Sequence, residues 1–209
     1  MRGLIERYVR EMVKIPSTSN TEMEKNCADY IAEELAKQPY FKEHPEQTGK
    51  YLLPEDSLGR SVPWGLVKGN GRSRKTIILT GHYDVVDTEE YGNERALAYD
   101  VEKWENLVKS GNVLPGMPDE VKEDFLSGDW MFGRGTADMK GGLSVGLVLL
   151  DWYGKILAEA EGKARSVAVS EAEVASELGD ASGISGNLLF VTVPDEEGYS
   201  AGMRGAVPF

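Results

Sequence analysis

"GNLLFVTVPDEEG", residues 186–198, decides how this chain is read. Leu188 to Val193 is short and apolar except for Thr192, the pattern of a strand covered on both faces. It ends at Pro194 and three consecutive acids, Asp195, Glu196 and Glu197. A strand of this kind belongs to an α/β layered domain, and open α/β sheets place their sites beyond the C-terminal ends of their strands. Two neighbouring carboxylates there can divide the labour, one binding a metal while the other takes a proton from an activated water. An acidic surface turn is the competing reading, and this stretch alone leaves both open.

Two further clusters occupy similar places. In "ILTGHYDVVD", residues 78–87, His82 and Asp84 follow the apolar run Ile77–Leu79. Residues two apart on extended chain point to one side, so the imidazole and the carboxylate can share a site. A neutral histidine is a common zinc ligand, and a nearby carboxylate can fix its tautomer. The pair also reads as a structural hydrogen bond at a strand end. In "FGRGTADMKGG", residues 132–142, Asp138 stands just before a long apolar helical run. Asp is a preferred helix N-cap, which is its structural reading. A dinucleotide loop is excluded because Asp138 stands where the third glycine of Gly-x-Gly-x-x-Gly should be, and there is no Gly-Lys-Ser/Thr. One histidine with several acids suits zinc or a related divalent ion. A serine hydrolase finds no Gly-x-Ser-x-Gly, and the second histidine, His44, falls in a Pro-flanked polar loop read as surface.

The remaining elements fill in around these. Leu4, Ile5, Tyr8, Val9, Met12 and Val13 recur at helical spacing and predict an amphipathic helix ending near Pro16. Met23, Cys27, Tyr30, Ile31 and Leu35 predict a second helix, with Ser19–Glu22 and Thr21–Glu24 as candidate capping boxes. Residues 39–61 read as polar turns. Strands are expected at Trp64–Lys68 and Thr76–Thr80, joined by "GNGRSRK" as a hairpin. Residues 89–129 read as an insertion with a short helix near 101–109. It holds 11 acids against 4 bases, most of the chain's net charge of −12, and is read as a surface excursion. A helix from about Met139 to Leu157, apolar on most of its surface, is expected to be buried. A solvated helix is expected near 167–178.

At 209 residues, with 41% hydrophobic and 28% charged residues, the chain has enough apolar content for one soluble domain with a real core. The acidic balance argues against nucleic acid and against anionic membrane surfaces. The single cysteine, Cys27, allows no internal disulfide and sits on an apolar helix stripe, so it is read as core. The N-terminal stretch has no signal-peptide pattern, and the most apolar run, Gly141–Leu150, is about half the ~20 residues of a membrane helix. A cytoplasmic protein is expected.

The order "GHYD … GRGTADMKGG … PDEEG" resembles the M20 family of zinc metallohydrolases, peptidases, aminoacylases and deacetylases among them. "TGHYDVVDTEEYG", "SGDWMFGRGTADMKGGL" and the acidic insertion look most like its arginine-utilisation branch. The resemblance implies a helix–sheet–helix, zinc-exopeptidase-like α/β fold with a mixed, mostly parallel sheet. It implies that His82 binds one zinc, Asp138 bridges two, and Glu197 binds the other, with cobalt or manganese as alternative metals. Glu196 would be the general base, Asp84 would orient His82, and the Asp138–Met139 peptide would be cis. The expected substrate is a small peptide or N-acyl amino acid, cleaved at an amide bond. The family's later ligands and its lid or dimerisation domain have no counterpart within residues 1–209. The chain is therefore expected to be the N-terminal portion of a catalytic domain, with a paired-zinc site incomplete on its own: one weakly bound ion, or none, in place of two. A second copy or a completing chain would be its partner. A non-catalytic, metal-binding or oligomerising homologue is the alternative.

Overall fold

The computed structural model describes residues 1–111, 116–167 and 185–207. The helix expected near 167–178 lies outside the described residues apart from its first position. Four strands, β1 (Thr48–Leu52), β2 (Ser61–Val67), β3 (Thr76–His82) and β4 (Asn187–Val193), form one mixed sheet in the order β1-β2-β4-β3. β2 pairs antiparallel with β1 and β4, while β3 pairs parallel with β4.

β4, last in sequence, thus lies between β2 and β3, and the expected hairpin does not form. "GNGRSRK" is a good local turn signal, but its loop wraps the start of β4 instead. Gly69 N–H donates to Asn187 Oδ1 at 3.1 Å, and Ser73 N–H to the Ser185 carbonyl at 3.3 Å. A strand as apolar as β4 gains more from a central position than β2 and β3 gain from pairing with each other.

One face of the sheet carries α1 (Arg2–Val13), α2 (Glu24–Lys37), the short α3 (Pro39–Glu43) and the 28-residue α6 (Lys140–Val167). Met12, Cys27, Ile31, Leu35, Phe41, Leu143, Leu147, Leu150 and Phe190 close one core there, with Cys27 fully buried as expected. Gly146 makes the close approach of α6 to β4: a Cβ there would lie 2.7 Å from the Phe190 ring. On the other face, among the described residues, only the short α7 (Ala201–Ala206) packs, over Leu53, Val62 and Val193.

The layers are thinner than the sequence predicts. On α6, Val145, Leu149 and Trp152 are exposed, so this helix is not buried all round. On β4, Leu188, Phe190 and Thr192 are buried while Leu189 and Val191 are only half-buried. Among the described residues β3 is an edge strand, with Ile77 and Ile78 both exposed. The span Lys140–Ala160 has the length and composition to cross a bilayer, but here it packs against the sheet with Lys140, Ser144 and Asp151 buried.

Residues 39–61, read as turns, contain α3, a 3-10 turn and β1. The acidic stretch folds into a 3-10 segment (Glu89–Leu97), α4 (Val101–Lys109) and α5 (Asp119–Ser127). Asp100 caps α4 by accepting from Lys103 N–H at 3.0 Å. Trp104, Phe125 and Phe132 pack ring on ring. Arg10–Glu105 and Lys14–Glu102 ion pairs hold α4 against α1.

Candidate metal centre

β3 and β4 run parallel and in register, with His82 opposite Val193, so both deliver their C-terminal ends to one edge. Alternation turns the His82 side chain inward, where it is 4% exposed. Its Nδ1 lies 3.0 Å from the Asp84 carbonyl oxygen, which accepts the Nδ1 proton. That leaves Nε2 to face the site, 3.0 Å from Asp138 Oδ1 and 3.7 Å from Glu196 Oε2.

Asp138 reaches His82 through local backbone. The Asp138–Met139 peptide is cis, and Met139 tucks beneath β3 at Gly81. A Cβ on Gly81 would meet Met139 Cε at 2.5 Å. Asp138 is not the N-cap it resembles: α6 begins at Lys140, whose N–H donates to the Gly135 carbonyl, and the Asp138 side chain is 76% exposed. Lys140 itself is fully buried, its Nζ donating to the carbonyls of Met12 at 3.0 Å and Ile15 at 2.8 Å. It ties the start of α6 to the end of α1.

The Asp84 carboxylate is expected to steer His82, yet the Nδ1 proton goes to the Asp84 backbone carbonyl. Its Oδ1 is 3.5 Å from Nδ1, beyond a good hydrogen bond. The carboxylate instead accepts Glu196 N–H and Glu197 N–H, each at 3.1 Å, and the Ser19 hydroxyl at 2.6 Å. Asp84 thereby clamps the acid turn after β4 to the end of β3. Burial pushes its carboxyl up, but the adjacent His82 imidazole and the hydrogen bonds from Ser19 and the two backbone amides prevail and hold it below the usual range.

Three carboxylates, Asp138, Glu196 and Glu197, therefore surround one imidazole nitrogen. Burial works against charge on His82, but the nearby Asp84 carboxylate, the hydrogen bond to Asp138 and the one to the Asp84 carbonyl outweigh it and raise the imidazole to about 9. Burial, then the Asp138 carboxylate, raises Glu197. Such a site holds excess negative charge and fits a cation. One ligand atom each from His82, Glu196 and Glu197 lies within 4.8 Å of the others. An imidazole nitrogen with carboxylate oxygens is a donor set for zinc, cobalt or manganese, and His82 must release a proton to join it. Beside it, Val86, Arg134, Thr136, Asp138 and Glu197 line an open cavity. Arg134 in that wall is paired with Glu90 and lies over the Tyr91 ring.

All five residues singled out in the sequence, His82, Asp84, Asp138, Glu196 and Glu197, come together here. His44 is elsewhere, its ring 4.6 Å from that of Tyr40. Three supporting residues escaped the sequence reading. Ser19 has the spacing of a cap, but its hydroxyl goes to Asp84, and α2 starts at Glu24 with no side-chain cap. Glu24 likewise turns back to Asn20 N–H at 2.8 Å instead of completing a box with Thr21. Arg60 sat in a segment read as polar turn and is 4% exposed.

No protein-family model matches the chain. It is 29% identical over 203 residues to protein RocB of Bacillus subtilis, covering 97% of this chain and 31% of RocB. It is 35% identical over 198 residues to the uncharacterized protein YqjN of the same organism, covering 94% and 30%. Its fold matches an M20 family metallo-carboxypeptidase of Sulfolobus solfataricus with a TM-score of 0.50 at 18% identity, over 92% of this chain and 31% of that one. It matches human carnosine dipeptidase 1 with a TM-score of 0.51 at 15% identity, over 95% and 33%. The chain spans about a third of the length of each.

Proposed function

Taking as premise a RocB homologue with the M20-family fold, we propose that this site serves metal-dependent hydrolysis of an amide bond in a small peptide or N-acyl amino acid. The observation that carries the reading is the meeting of His82, Glu196 and Glu197 at the end of parallel strands, with Asp138, from a third segment, 3.0 Å from the His82 Nε2. His82, Asp138 and Glu197 would hold the metal, zinc by preference. When bound, a divalent ion would polarise the substrate carbonyl and acidify a water.

The chain's own residues do the rest. Glu196, with its side chain half exposed to solvent, would take a proton from a water and deliver it to the departing amine. Asp84 keeps Glu196 and Glu197 on the His82 side through their backbone amides. The likeness to the arginine-utilisation branch supports a place in arginine catabolism.

A second reading, a non-catalytic homologue acting by metal binding or self-association, draws on the exposed β3 edge with Ile77 and Ile78. Unpaired strand edges template further pairing. Metal content of the purified chain, with turnover of a panel of dipeptides and N-acyl amino acids, separates the two. Bound zinc with chelator-sensitive turnover, abolished by Glu196→Gln at unchanged metal content, supports hydrolysis. Metal binding without turnover of any substrate would sink catalysis by this chain and leave the second reading.

A further inference from the structure

Behind the acid turn lies a second set of charges that never reaches the site. Glu24 is fully buried, Asp195 is 1% exposed and Arg60 4% exposed. Glu24 Oε1 accepts Asn20 N–H at 2.8 Å and Arg60 Nη1 at 3.0 Å, and its Oε2 accepts Asp195 N–H at 2.9 Å. Arg60 also forks onto Asp56, with Nη2 to Oδ1 at 2.7 Å, and its Nη1 lies 3.4 Å from Asp195 Oδ1. Asp195 Oδ2 accepts Ala201 N–H at 3.0 Å.

Three carboxylates about one guanidinium, out of water, make a costly arrangement that persists only where its geometry and hydrogen bonds are good. What it secures is the backbone at Asp195. This residue has φ of +62°, in the left-handed region that a non-glycine residue seldom adopts. The left-handed turn at Asp195 carries the chain out of β4. It presents the next two amides to Asp84 and the next two side chains to His82. Glu24 holds the first amide of the turn, and Asp84 holds the second and third.

We propose that Glu24, gripped by Arg60, is a positioning residue for the metal site: by capturing Asp195 N–H it sets where Glu196 and Glu197 stand. The proposal rests on the reading above for what the turn binds, but its geometry does not. The test uses this 209-residue chain at pH 8, as wild type and Glu24→Gln, with His82→Ala as control. An amide in place of the carboxylate turns a donor toward either Asp195 N–H or Arg60. Amide hydrogen exchange without metal is expected to quicken at least tenfold at 195–197 while Leu188–Thr192 in β4 stays protected. Cobalt affinity, read from the visible absorption of the ion, is expected to weaken about 10- to 100-fold, the usual cost of disturbing outer partners of a metal site.

Exchange at 195–197 that is unchanged, or that rises only in step with β4, overturns the positioning role. Unaltered cobalt affinity despite quickened exchange overturns its bearing on the site. If His82→Ala binds cobalt as wild type does, the metal reading fails instead, and the exchange measurement still decides the role of Glu24. Should Glu24→Gln not fold, Arg60→Lys keeps the charge but loses the fork, and the same local exchange at 195–197 is expected.

Discussion

Replacing Asp84 by Asn tests the clamp most directly, because the two side chains are nearly isosteric and Asp84 is fully buried. The carboxylate accepts from Ser19 and Glu197 N–H at Oδ2 and from Glu196 N–H at Oδ1. An amide has one acceptor. With its oxygen at the Oδ2 position it keeps two partners, and its NH2 then faces Glu196 N–H, donor against donor. One hydrogen bond to a charged group, worth about 1.5–3 kcal/mol, is lost and the other two weaken to neutral strength. Removing a buried negative charge near Glu196, Glu197 and Asp138 returns part of that. The net expectation is a loss of about 2–4 kcal/mol, or roughly 5–15 °C in melting temperature for a chain of this size. Urea denaturation followed by tryptophan fluorescence at pH 7, beside calorimetry, measures it. A variant within about 0.5 kcal/mol of wild type, the range of an ordinary surface change, would refute the clamp.

Two more outcomes are expected. Burial, against the pull of Arg60, raises the Glu24 carboxyl to about 7, with Asp56, Asp195 and Asp84 the other charges around it. A folded-state value above the unfolded one favours the fold fully below about 4.5 and loses that contribution as pH rises through about 7. Wild type should therefore lose on the order of 3 kcal/mol from this group between pH 5 and 8. Glu24→Gln lacks that decline, so parallel urea midpoints for the two proteins across this range would contradict the burial argument. Gly146→Ala places a methyl 2.7 Å from the Phe190 ring, itself 1% exposed. Overpacking of about 1–3 kcal/mol exceeds the ~1 kcal/mol that Ala gains over Gly in a helix. A lowered urea midpoint is expected, and an unchanged or raised one would show that Phe190 yields.

What the sequence revealed followed from signals that act over short distances. Helical spacing located α1 and α2, and the apolar run located β4, because burial at period 3.6 or on successive residues leaves its mark within ten residues. The five candidate residues stood out because each sits at the boundary of such a run, while the roles expected of them came from the family resemblance. Strand order was not legible. Whether β2 pairs with β3 or with β4 depends on contacts more than a hundred residues apart, such as Gly69 to Asn187, and the turn-like loop between β2 and β3 pointed the wrong way. Ser19 and Glu24 misled for a related reason. Their types and spacing satisfy a local capping rule, while their hydrogen bonds run to Asp84 and to Asp195, across 65 and 171 residues.

That division explains how the site is built. The groups that meet solvent, Asp138 at 76% and Glu196 at 53% side-chain exposure, are held by groups that do not: Asp84, Glu24 and Lys140, each fully buried. Asp84 joins the ends of β3 and β4, Glu24 joins α2 to the turn after β4, and Lys140 joins α1 to the start of α6 beside Asp138. Each anchor is a charged group spent on backbone amides or carbonyls, so each fixes main chain and leaves the candidate ligand side chains free. Exposed carboxylates on ordinary turns would swing through several rotamers, and an ion binding them would have to order them first. Here the backbone beneath them is already set, which would lower that ordering cost for the proposed ion. The same economy makes the buried charges sensitive: losing one anchor should loosen one wall of the site before it unfolds the sheet.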